Sequence, residues 1–284
     1  MKEILIESLK ILAPASVALI MFAQGLSIAP GEVTRHFRGR SLFLLLRAFV
    51  GMVVLVPAAT LVIIMLLKAP IELAIGLAIL VACPPAPVML RSAVKNGGGD
   101  ASFMQAMHLL FAALAFLTVP AVVNALSSPL GFYVDIPLGA MIWILARTIL
   151  LPIAAGLILK GLFPEPAAKA APALDKAGMI GLMIVVLVAL VALFPILLQT
   201  DAKSYLVIAL VSVAALAIGH LLGPEDPAQK TVLAVECGVR HPALAVTIAF
   251  ANFTPQQALP VLVPCIVTFI AIATIYLKWR GKSQ

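Results

Sequence analysis

Charge is what this chain has least of. Only 11% of its 284 residues are Asp, Glu, Lys or Arg, against about 25% in a typical soluble domain. No stretch is both long and polar enough to form a soluble domain of its own. An ordinary globular protein needs a polar skin, so that class is excluded. Nucleic acid is excluded as a partner as well. The net charge is +7, but the basic residues stand in short loops between apolar runs, where membrane topology places them. Cysteine is sparse too: Cys83, Cys237 and Cys265 each fall inside an apolar run, as small apolar fillers rather than halves of a disulfide. The histidines are scattered without metal-ligand spacing. No Gly-x-x-x-x-Gly-Lys-Ser/Thr loop occurs, and no His-Glu-x-x-His, Gly-x-Gly-Asp or Ser/Lys dyad lies within a span. Nothing therefore points to an ATPase or an intramembrane enzyme, and no organic cofactor is implied.

What the chain has in excess is hydrocarbon. Hydrophobic residues make up 63% of it, and they recur in runs long enough to cross a bilayer, which takes about 20 residues. Nine such runs are expected, at about 9–28, 42–67, 70–95, 100–126, 137–161, 174–198, 204–223, 227–252 and 256–278. Gly/Pro-rich and charged loops separate them, among them 96–100 and 161–169. The N-terminus mixes Glu3 and Glu7 with Lys2 and Lys10, which makes a poor signal peptide, so the first span is expected to stay. With nine spans, twelve of the 19 basic residues fall on one side, including Arg35, Arg38, Arg40, Arg91, Lys95, Lys160 and Lys278. Four fall on the other: Lys2, Lys10, Lys68 and Lys203. The basic side is the cytoplasmic one, so the expected protein is a multi-pass cell-membrane protein with its N-terminus outside and its C-terminus in the cytoplasm. Arg47 and Arg147 lie within spans, where they can snorkel to an interface.

Two spans are built to break. The third opens at Pro70 and meets Pro84, Pro85 and Pro87; the eighth opens at Pro227 and meets Gly238 and Pro242. In each, fifteen residues separate the opening proline from the interior one, Pro85 or Pro242. An interior proline removes a backbone hydrogen bond and clashes with the preceding turn. A broken helix survives in a bilayer only where protein or a wet cavity covers it, and paired breaks in two halves mark a transport site. The expected fold is therefore an all-α transmembrane domain spanning 1–284. Its inverted repeats cover about 9–126 and 174–278, with 137–161 unpaired and two discontinuous helices crossing.

Three segments then resemble one family. Met21-Phe-Ala-Gln24-Gly25-Leu, Ile79-Leu-Val-Ala-Cys83-Pro-Pro, and Ala228-Gln-Lys-Thr-Val-Leu-Ala-Val-Glu236-Cys237-Gly238 are similar to segments of the bile acid/sodium symporters. The resemblance implies a panel domain and a core domain, with crossing helices in the core beside sodium and substrate sites. It also implies inward sodium flow driving an organic anion. The family's sodium ligands are side-chain oxygens at the two breaks and on neighbouring helices. Carried onto this chain, those positions are Ala86 and Pro87 (or Leu90 and Arg91) at the first break, Gln105 and His108 on the next helix, Met52 on the helix before, and Glu236 and Arg240 at the second break. Only Glu236 matches. Ion-binding or ion-surrogate roles therefore fall to Glu236, Arg240 and the backbone at Cys237 and Val239, and sodium coupling is in question.

Glu236 and Arg240 are four apart, so on a helix their side chains lie on one face within reach, and Arg240 is expected to neutralise Glu236 permanently where a sodium ion would sit. Arg240 is either that structural partner or a bidentate clamp for a substrate carboxylate. His241 beside the break either titrates or hydrogen-bonds freed carbonyls. Gln105, His108 and Gln24 either face a cavity with Pro85, Ala86 and Pro87 or pack between helices. The expected function is secondary transport of a small organic anion. The alternatives are a sodium-independent (proton-coupled or facilitated) carrier of a small carboxylate, and a non-transporting sensor or channel of the same fold.

Overall fold

The computed structural model describes residues 2–27, 31, 34–86 and 99–282. Among these every regular element is helical. In chain order they are α1 (Lys2–Ser27), α2 (39–66), α3 (Ile71–Ala82), α4 (Ala101–Leu130), α5 (Leu138–Leu162), α6 (Pro164–Gln199), α7 (Ala202–Leu222), α8 (Pro227–Gly238), α9 (Pro242–Asn252) and α10 (Pro255–Lys282). Pro87, Leu90, Arg91 and Lys95 lie outside the described residues.

Six helices, α2, α4, α5, α6, α7 and α10, contain stretches long and apolar enough to cross a membrane. The short apolar α3 and α9, with α8, fall where the sequence predicts broken spans. The chain is thus an all-α, multi-pass membrane protein. Its starts are chemically marked. Asp100 caps α4 through Ser102 N at 2.9 Å and Phe103 N at 3.1 Å, and Asp226 caps α8 through Ala228 N at 3.0 Å, ahead of Pro227 in the first turn. One expectation fails. The presumed loop 161–169 is almost wholly helix, because Phe163 alone separates α5 from α6. Pro164 tolerates a first-turn position, and the alanine-rich residues behind it favour helix.

Burial separates the helices into two kinds. Every residue from Thr231 to Gly238 of α8 is buried, as is most of α3, so these two run through the interior. α6 shows the opposite pattern, with Ile180, Met183, Leu187 and Val191 exposed as an apolar face for lipid. α1 packs chiefly on α5 and α6. At the contact between α1 and α5, a Cβ on Gly25 would stand 2.9 Å from the Gly156 Cα and 2.5 Å from the Ile153 oxygen. Only glycine permits that approach, which is the small-residue packing of membrane helices. It also gives the glycine of the first recognised segment a packing role. α7, α10 and α2 gather around α8, and α4 and α10 around α3.

Candidate functional site: the crossing of two broken helices

α3 stops at Ala82, and Cys83 turns extended (φ −67°, ψ 148°). α8 stops at Gly238, and Val239 turns extended (φ −130°, ψ 128°). The two loosened segments meet. Pro85 and Arg240 pair as an antiparallel bridge, with Ala86 N donating to Val239 O at 3.3 Å and His241 N donating to Pro84 O at 2.8 Å. Backbone groups that the breaks release from helical bonding thus bond to each other, as a low-dielectric interior requires. Gly238 allows the turn: a Cβ there would lie 2.6 Å from Leu216 Cγ of α7.

Arg240, 4% exposed, extends from this bridge. Its Nη1 donates to the Cys83 carbonyl at 3.3 Å and its Nη2 to the Met52 carbonyl at 3.5 Å, while Nε has no partner. Met52 lies in a π-helical turn of α2, Val50–Leu55, where Val56 N bonds Gly51 O five residues back. The next donor in that register would be residue 57, which is proline and has no N–H. The Met52 carbonyl is thereby left for the guanidinium. The resemblance marks position 52 only through its side chain, which has no oxygen; that its carbonyl would serve is signalled by nothing but a proline inside an apolar run, and many such prolines merely kink.

Glu236 is fully buried, and neither carboxylate oxygen has a hydrogen-bond partner. The expected pairing of Glu236 with Arg240 as helical neighbours is therefore corrected. α8 ends between them, so residue 240 leaves the helical face, and Arg240 donates to carbonyls instead. It acts on Glu236 through space. Val239 supplies its carbonyl to the bridge, and Cys237 packs its side chain against Gly51 and Gly219.

His241 caps α9: its Nδ1 accepts from Leu244 N at 3.3 Å. In the neutral ring the proton then sits on Nε2, a donor with no partner. The ring therefore does not serve the freed carbonyls. On α4, one turn apart, Gln105 and His108 are 0% and 1% exposed. None of their four side-chain polar atoms has a partner, and His108 stands within electrostatic range of His241. Gln24 is buried and equally unpartnered, but it sits on α1 among α5 and α6, away from the bridge's own contacts. Ser212 of α7, fully buried with an unpartnered hydroxyl, escapes sequence analysis because it is one polar residue in an apolar run. No group of three or more His, Cys, Asp or Glu among the described residues could hold a metal ion.

A second polar knot holds the start of α4 to the start of α8. Asp100 Oδ1 accepts from Ser102 Oγ at 2.8 Å, and Oδ2 accepts from Gln229 Nε2 at 3.3 Å. Burial pushes the Asp100 carboxyl up, but hydrogen bonds from Phe103, Ser102 and Gln229 outweigh it and hold the group below the usual range. His36, whose Nε2 lies 2.9 Å from Ser102 Oγ, is pushed down by burial; Asp100 opposes this and Arg35 adds to it.

The ends of α3 and α8 are thus stitched together inside a bundle of apolar helices long enough to cross a membrane. The chain matches the Sodium Bile acid symporter family over residues 14–200, about two-thirds of its length, and belongs to that family. It is similar to a protein of Bacillus subtilis (strain 168) described as the uncharacterized sodium-dependent transporter YocS. The two are 28% identical over 202 residues, which cover 68% of this chain and 60% of that protein.

Proposed function

We propose that the protein is a secondary transporter that carries a small organic anion past the crossing, without obligatory sodium coupling. Nine spans form the carrier, with α8 and α9 the halves of one broken span and α3 the first half of the other. They are arranged as inverted repeats with the N-terminus outside and the C-terminus in the cytoplasm. α1, α5 and α6 make the panel, and the helices around α3 and α8 make the core. The anion's oxygens accept from the His241 Nε2–H, the Gln105 amide and the free Nε of Arg240, with His108 beside them and Gln24 facing from the panel. The N-terminal dipole of α9 adds to the attraction.

One observation carries this reading: polar atoms of Gln105, His108, His241 and Glu236 lie buried without partners in a chain with very little charge. Leaving such a group unsatisfied costs about 1–3 kcal/mol, and a polar solute removes that cost. The test is flux of labelled organic anions, taurocholate first, into proteoliposomes. Saturable uptake without a sodium gradient, lost in Arg240→Ala and weakened in Gln105→Leu, is the expected result. Binding without flux would make the protein a sensor, and uptake that requires sodium would remove the independence.

A further inference from the structure

The same crossing has an electrostatic problem, and its solution differs from the one the family's description suggests. Two helices end there. The C-terminus of a helix is its negative pole, rimmed by carbonyls without helical donors. α3 at Ala82 and α8 at Gly238 bring two such poles together, next to the buried carboxyl of Glu236. A place of this kind requires a positive charge.

Sodium, a hard cation, would need several oxygens. Four main-chain carbonyls of the crossing are already engaged. Cys83 and Met52 accept from the guanidinium, Pro84 accepts from His241 N, and Val239 accepts from Ala86 N. Of the described positions carried over as sodium ligands, Glu236 and Gln105 keep unpartnered side-chain oxygens, while Met52, Ala86, His108 and Arg240 present none. With a guanidinium already bonded among them, the described residues do not fit a bound sodium ion.

We infer that the Arg240 guanidinium is the resident cation of the crossing, tethered where a dissociable ion would otherwise be held. A tethered cation cannot be released on the far side. It balances the carboxylate and the helix ends in every stage of a cycle and delivers no gradient energy. Where the anion-transport reading holds, the anion crosses with its own charge only, down its own electrochemical gradient or against another anion. An interior-negative potential then favours exit over entry. The occupancy of the crossing does not rest on that reading.

The test is thermal unfolding of the purified full chain in lipid nanodiscs, in sodium, potassium or N-methylglucamine chloride at equal ionic strength. The wild-type midpoint should be the same in all three. Arg240→Gln removes the charge, frees two carbonyls and adds an oxygen, so it should gain a saturable upward shift with sodium and none with potassium. Adding Glu236→Gln should abolish that shift. A saturable, sodium-specific stabilisation of the wild type would overturn the inference, as would a folded Arg240→Gln indifferent to sodium. If Arg240→Gln does not fold without sodium but does with it, the inference stands. If it folds in neither, Arg240→Lys decides, because it keeps the charge: it should fold and ignore sodium, and dependence on sodium would overturn the proposal. A lack of anion flux, by contrast, would count against the transport reading and leave these midpoints unchanged.

Discussion

The two breaks solve one problem by opposite means. The first, at Cys83–Ala86, is made by consecutive prolines, which lack N–H groups. It therefore acts chiefly as an acceptor, offering the Cys83 and Pro84 carbonyls and donating in return only from Ala86 N. The second, at Val239–His241, is made by a glycine-ended helix and a cation, and it acts as the donor through the guanidinium of Arg240 and the amide of His241. Proline destroys helical bonding and leaves acceptors, so a proline-made break needs a donor-rich partner. Breaking one side should therefore cost more than breaking the other.

The largest effect is expected at the donor side. Arg240→Ala strips two carbonyls of their donor and leaves the Glu236 carboxyl uncompensated, a loss of about 3 kcal/mol or more. Unfolding in lipid measures it, and Glu236→Gln in the same chain should recover part of the loss in a double-mutant cycle. Next comes Gly238→Ala, which drives a methyl group into Leu216 and should cost about 1–3 kcal/mol; Leu216→Ala should relieve it. At the acceptor side, Pro85→Ala should cost under about 1 kcal/mol, because Pro84 still ends α3 and no bond of the bridge uses the Pro85 ring. If Pro85→Ala proved as damaging as Arg240→Ala, the donor–acceptor asymmetry would be wrong.

A smaller effect, of about 1 kcal/mol, is expected from Asp100→Asn through its hydrogen bonds at the start of α4. Its pH signature is specific. The carboxyl is held below the usual range when folded, so its contribution is present above the ordinary carboxylate value and disappears as pH falls through the folded one. The acid limb of the stability profile should be shallower in Asp100→Asn than in the wild type.

The breaks were legible because proline and glycine act locally and leave the same mark in any context. Pro84 and Pro85 follow the end of α3, Gly238 ends α8, and Pro242 opens α9. The partners of Arg240 were not legible. Placing it beside Glu236 assumes the helix that Gly238 terminates, and its true acceptors come from residues 52 and 83, far away in sequence. The Met52 carbonyl is available only because a π-helical register lines it up with Pro57, and register is not visible in composition. The capping role of His241 was equally hidden, since it depends on how sharply α9 begins. Arg147, by contrast, is exposed on α5, in keeping with a snorkelling side chain.

The bridge between the breaks is made of main-chain atoms alone. The bonds of the stitch therefore carry no side-chain identity, and what is particular to this chain at the crossing is the charge that Arg240 adds to them. A main-chain seam can thus be kept by many sequences, whereas the electrostatics of the crossing hang on a single codon, that of residue 240.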